Sequence, residues 1–173
     1  MPRADDAAVT LSEDDAGRAP HPGELLYRPQ RLVLGMGAER GAPADEAIAL
    51  AEEALRQAGV SPLCLAMVAT LDVKADEASL NAVAAHFQVP LRVFDAATLE
   101  AETPRLATPS DIVFAEVGCH GVAEGAALAA GGPDAALILP KVKSRRVTAA
   151  IARAPRPLSA PSIGRARGRL TLV

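Results

Sequence analysis

The sequence predicts a three-layer α/β/α sandwich built on a mixed, mostly parallel sheet of about five strands, closed by a C-terminal antiparallel hairpin. Three observations predict it. Short apolar, partly β-branched runs alternate three times with segments of helical apolar period between residues 31 and 130. Glycine, proline and capping residues punctuate each change of period. Two last apolar runs, 135–139 and 147–152, follow one another across a short cation-rich turn, as an antiparallel pair does. At 173 residues, 17.8 kDa and 50% apolar composition, the chain suits one core. Aromatic residues are only 2%, so Ala, Val and Leu must fill that core, which suits helices packed closely on a sheet.

Residues 1–29 mix Asp5, Asp6, Glu13, Asp14 and Asp15 with Gly17, Pro20, Pro22 and Gly23 and carry no apolar period, so they read as a tail. Order is expected from Arg31. The run Leu32-Val-Leu-Gly-Met-Gly37 reads as a strand ending in a glycine loop. Ala47, Ile48, Leu50, Ala51, Ala54 and Leu55 then repeat at helical spacing, and Gly59 supplies a left-handed cap. Ser61-Pro62 opens a short turn. Residues 67–72 form a second strand and 77–87 a helix carrying Leu80, Val83, Ala84 and Phe87 on one face, closed by Pro90. Residues 91–94 form a third strand, Asp95 caps a brief helix, and Thr108-Pro-Ser-Asp111 signals the start of another, broken over 118–121. A helix from Val122 reaches Gly131-Gly132, and the hairpin follows. The domain is expected over 30–153, with a Pro/Arg-rich tail over 154–173 holding Pro155, Pro157, Pro161 and Arg165.

Composition excludes several classes. A net charge of -3 and few aromatic rings oppose nucleic-acid binding, which wants a broad basic face or stacking platforms. No apolar run approaches the roughly 18 residues of a membrane span. The acidic N-terminus does not resemble a secretory leader, and Cys64 and Cys119 have neither CxxC spacing nor such a leader beside them. The expected setting is the cytoplasm, with both thiols free.

The candidate chemistry sits in four places. Lys141, Lys143, Arg145 and Arg146 put four cations within six residues of the hairpin, a match for carboxylate or phosphate unless they only guard a sheet edge. Gly35-Met-Gly-Ala-Glu-Arg-Gly41 resembles a dinucleotide loop in outline. The acid ending the second strand, Asp72, lies 31 residues beyond Gly41 rather than about 20, so a nicotinamide or flavin is not expected. Arg40 keeps a generic anion role open there. Asp72, Lys74, Asp76 and Glu77 cluster after the second strand, where loops host catalysis and where Asp76 can equally cap a helix. Gly118-Cys-His-Gly121 leads into a helix start at Val122 whose free amides suit an anion. Cys119 and His120 lack the further ligands a metal needs, and neither metal nor cofactor is expected.

Taken in order, the segments 33–41, 69–77, 118–127 and 140–153 resemble the CobE/CbiG C-terminal family of cobalamin biosynthesis, over about residues 31–153. The resemblance implies a compact α/β/α unit of the corrin pathway and, as partner, a corrinoid or precorrin intermediate bearing several carboxylates. It implies ligand-binding roles for Gly35, Gly37, Arg40, Gly41, Asp72, Lys74, Gly118, Cys119, Val122, Lys141, Lys143 and Thr148. A cysteine often found in the first loop of this family is Ala38 here, which counts against loop-thiol chemistry. The apolar run 168–173 resembles the opening of the precorrin methyltransferases sometimes fused behind this domain, which makes such enzymes candidate partners.

These observations lead to an accessory domain that binds a polycarboxylate corrinoid or precorrin in the cytoplasm, without nucleic acid or membrane. Catalysis stays open. Were the domain an enzyme, it would resemble a cobalt-precorrin-5A hydrolase releasing acetaldehyde, with Asp72 or Glu77 as general base and Lys74 or Arg40 facing the oxyanion. An interaction module for a precorrin methyltransferase is the third reading.

Overall fold

The computed structural model describes residues 10–13, 15–158 and 168–172. The elements run β1 (Thr10–Glu13), β2 (Glu24–Pro29), β3 (Leu32–Ala38), α1 (Ala44–Ala58), β4 (Leu65–Leu71), α2 (Ala78–Phe87) and β5 (Leu91–Phe94). They continue with α3 (Ala96–Glu100), α4 (Asp111–Val117), α5 (Val122–Gly131), β6 (Ala136–Lys143), β7 (Val147–Arg153) and β8 (Gly168–Leu172). The main sheet has the order β5-β4-β3-β7-β6. β3, β4 and β5 pair in parallel, while β7 runs antiparallel to β3 and β6 antiparallel to β7. The three-layer sandwich is therefore present on a mixed, mostly parallel sheet: β3, β4, β5 and β6 point one way and β7 alone runs against them.

Alternation of side chains along β3 distributes the core between the layers. Leu32, Leu34 and Met36 face α1 and α2, packing on Ala47, Ala51, Leu55, Leu80 and Val83. Val33 faces the other way, joining Met67, Leu99, Ala126, Ala127 and Leu128 beneath α3 and α5. Local signals set the helix ends. Asp95 accepts from the Thr98 amide at 2.7 Å, Ser110 accepts from the Val113 amide at 3.3 Å, and Gly59 turns left-handed at φ 69° to close α1.

Three expectations change. Gly35 and Gly37 lie within β3 rather than in a loop. A Cβ at Gly35 would stand 1.9 Å from the Ala123 carbonyl oxygen and 2.7 Å from the Ala127 amide, so this glycine exists to let α5 lie directly on the strand. Order also begins before Arg31: β2 falls in the stretch read as a tail, buries Leu26 completely, and pairs in parallel with β1 and antiparallel with β8. Residues 1–9, 14, 159–167 and 173, Pro161 and Arg165 among them, lie outside the described residues. Finally, β6 runs on through Lys143, so Lys141 and Lys143 belong to a strand and the turn is only 144–146.

Candidate ligand-binding site

The carboxyl ends of β3 and β4, the start of α5 and the β6–β7 hairpin surround a cavity of about 400 Å³. This is the crevice that an open α/β sheet offers a ligand. Its shape follows from Pro140. Proline has no N–H to give the ladder, and the next amide, that of Lys141, bonds the Glu124 carboxylate at 2.8 Å instead of β7. Pairing accordingly shifts register between Leu139 and Val142. Such bulges re-aim side chains, and here both Lys141 and Lys143 line the cavity.

Lys74, from the 3₁₀ turn after β4, and Arg145 and Arg146, from the hairpin turn, line the same cavity, as do Gly37, Val122 and Thr148. Five cations thus meet two lining carboxylates, Glu39 and Glu116. Among the described residues, Lys74, Lys141 and Lys143 form no ion pair. α5 adds its own field, because Gly121 precedes it without a side-chain cap and its first-turn amides face this end.

Other candidate residues lie elsewhere. Arg40 and Asp72 are exposed outside the cavity. Gly41 donates its amide to Glu77 Oε2 at 3.3 Å, while Glu77 Oε1 accepts from the Ser79 hydroxyl at 3.2 Å. Glu77 is therefore a buried strut between the two loops. Gly118 turns left-handed at φ 81° to end α4, and Cys119 is fully buried in the apolar layer, where burial pushes its thiol pKa up. Gly35 sits beneath α5, as described above.

Two more glutamates hold the hairpin. Glu46 in the first turn of α1 accepts the Ser144 hydroxyl at 2.5 Å and the Arg146 amide at 2.7 Å, bonds that hold its carboxyl below the usual range. Glu124, 1% exposed, accepts from the Lys141 amide and from the Thr108 amide at 2.9 Å. Burying a carboxylate is tolerable because each of its oxygens receives a backbone N–H, and because Glu124 itself sits in the first turn of α5. Lys141 and Thr108 are distant from Glu124 in the chain, so no local sequence signal announces this clamp.

The acid–base group at the cavity is His120. Its Nδ1 lies 2.8 Å from Glu100 Oε1, and its amide donates to Glu100 Oε2 at 2.9 Å. The Glu100 contact raises the imidazole pKa, and the same bond holds Glu100 below the usual carboxylate range. Asp111 stands 3.3 Å from Nε2, and Phe114 stacks on the ring with centroids 4.5 Å apart. Glu100 and His120 are twenty positions apart, so no local motif joins them.

A larger groove, about 980 Å³, opens at the opposite pole, between the carboxyl ends of α1 and α2. Its walls are mostly apolar, and its polar side chains are already partnered: His86 meets Glu52, Arg56 meets Glu53 and Arg18 meets Glu24. For a ligand that is recognised by charge, the smaller cationic cavity is the better site. Among the described residues no single helix is long and apolar enough to cross a membrane, and no cluster of three metal-ligating side chains occurs.

Comparison with known proteins agrees with the fold. The family model for the cobalamin synthesis G C-terminus matches residues 32–152. Protein CobE of a Sinorhizobium species is 60% identical over 121 residues, or 70% of this chain and 79% of that protein. A cobalt-precorrin-5A hydrolase of Priestia megaterium is 34% identical over 131 residues, which span 76% of this chain and only 34% of the hydrolase. The crystal structure of CobE, a protein of the cobalamin (vitamin B12) biosynthetic pathway, matches with a TM-score of 0.68 at 37% identity, covering 72% of this chain and 94% of CobE. Cobalamin biosynthesis protein ChiG of Agrobacterium tumefaciens matches at 0.56 and 34% identity, covering 72% and 98%. With four ordered motifs, the same α/β sandwich and these likenesses in agreement, the chain belongs to the cobalamin synthesis G C-terminal family and is a cobalamin-biosynthesis protein.

Proposed function

We propose that the cavity at the carboxyl end of the sheet binds a corrinoid or precorrin intermediate through its carboxylate arms, as an accessory step of the corrin pathway. The observation that carries this reading is the convergence of Lys74, Lys141, Lys143, Arg145 and Arg146 on one cavity with only two opposing carboxylates. Guanidinium and ammonium groups pair with carboxylates by charge-assisted hydrogen bonds, and several weak pairs add up on a ligand with many arms. A corrin ring is larger than 400 Å³. The cavity therefore takes one edge and its arms, while the apolar face of the ring rests on Val113, Val117 and Val122. With both thiols buried and free, the compartment we infer is the cytoplasm.

Titration with hydrogenobyrinic acid, followed by absorbance and by co-elution, tests the proposal. Binding that weakens steeply with salt and is lost in K141A/R145A is expected. No spectral change and no co-elution at high micromolar ligand would refute it. Lactone hydrolysis is the second reading, favoured by the likeness to the Priestia hydrolase. Neither Asp72 nor Glu77 lines the cavity, so that reading would need another base. Acetaldehyde release in a single-turnover assay with cobalt-precorrin-5A would support it.

A further inference from the structure

His120 is built differently from the other groups around the cavity. Glu100 from α3 takes both the ring Nδ1–H and the backbone N–H of His120, so one carboxylate fixes the rotation and the tautomer of the ring together. The His120 carbonyl accepts the Ser110 amide at 2.7 Å, and Phe114 covers one ring face. What remains open is the Nε2 edge, which among the described residues meets only Asp111 Oδ1, at 3.3 Å. The Asp111 side chain is fully solvent-exposed, so this contact exchanges readily with water or with another acid. The ring lies on the cavity wall.

Resting on the polycarboxylate reading above, we infer that His120 is a proton-gated anchor of this site: its Nε2–H passes from Asp111 to a carboxylate of the bound ligand, so that binding demands the imidazolium. The ligand class is narrowed accordingly to acids with at least two arms, one reaching His120 beside α4 and the others reaching Lys141, Lys143 and the hairpin arginines. The charged groups facing His120 fall on three sides. Glu100 on α3 and Asp111 on α4 favour the imidazolium, Glu116 on α4 and Glu39 after β3 share the cavity and favour it as well, and Lys74, Lys141, Lys143, Arg145 and Arg146 across the cavity oppose it. The carboxylates in direct contact prevail, and the imidazole pKa is raised. A polyacid that places one carboxylate at Nε2 leaves the Glu100 bond in place and brings further negative charge beside the ring, so binding raises it further. Each pH unit by which binding raises it makes the imidazolium form bind about tenfold tighter.

The experiment is titration with hydrogenobyrinic acid from about pH 6 to about pH 9 at constant ionic strength, a range in which imidazole titrates and ligand carboxylates stay ionised. The expected result is an affinity about tenfold lower at the alkaline end for the native protein, with little pH dependence left in H120N. Removing the orienting acid in E100Q lowers the pH at which affinity falls. NMR of the His120 ring in the native protein needs no variant: its midpoint must move up when ligand is added. A flat pH profile with tight binding, or an unmoved His120 midpoint in the complex, overturns the role of His120 and leaves the cationic site standing. Absence of binding at every pH instead overturns the polycarboxylate reading, and the anchor with it.

Discussion

Replacing Gly35 by alanine adds one methyl group and should be among the most damaging changes this chain can suffer. The new Cβ would stand 1.9 Å from the Ala123 carbonyl oxygen, 2.7 Å from the Ala127 amide and 2.9 Å from the Ala127 Cβ. Two of the three obstacles are backbone, so no rotamer change relieves them. α5 must retreat by about 1.1 Å merely to bring the first distance to the 3.0 Å floor. That retreat loosens the packing of Ala126, Ala127 and Leu128 on Val33 and Ala152. Over-packing a dense core costs about 1–3 kcal/mol, and the upper end applies where a helix axis has to move. A loss of about 3 kcal/mol corresponds to a fall in Tm of about 6–12 °C for a chain of this size. Gly37→Ala is the control. Its Cβ meets the Thr148 hydroxyl at 2.8 Å and Val122 at 3.5 Å, atoms that can turn away, so about 1 kcal/mol is expected. Urea denaturation with unchanged m-values reads both. Should G35A unfold within about 0.5 kcal/mol of the native protein, the direct seating of α5 on β3 would be wrong.

Glu124→Gln turns an N–H₂ group toward one of two backbone donors, so it should cost about 1–3 kcal/mol and weaken corrinoid binding as Lys141 loses its support. Unaltered stability and affinity would remove Glu124 as the clamp of the hairpin. Arg105→Met removes donors to the carbonyls of Leu128, Gly132 and Ala135, where they close the end of α5, and should lower stability by about 2 kcal/mol in the same assay. The pH profile of Tm should fall on both sides of neutrality. Glu46 and Glu100 have lowered values when folded, so their contribution is complete above the ordinary 4.5 and is lost as pH drops through the folded values. His120 has a raised value, so its contribution is complete below the ordinary 6.5 and is lost as pH climbs through the folded one. A Tm indifferent to acid, or one rising through the alkaline range, contradicts these contacts.

Much of the architecture is carried by information a few residues wide. Apolar spacing at Ala47, Leu50, Ala51, Ala54 and Leu55 suffices for α1, and Asp95, Ser110 and Gly59 end or begin their helices through bonds to neighbours one to four positions away. The family likeness and the cationic hairpin are legible in the same way. The stretch before Arg31 was not, because β2 earns its place only by pairing with β1 and with β8, a partner strand about 140 residues further along the chain. Gly35 reads as loop glycine in the chain and becomes a strand glycine only once α5 crosses it. Likewise His120 acquires Glu100, and Lys141 acquires Glu124, from segments folded in from elsewhere. Propensity and capping depend on the nearest peptide units, so the order of residues determined them. The contents of the cavity depend on which side chains the sheet and its helices bring within a few ångströms, and that was decided by tertiary packing alone.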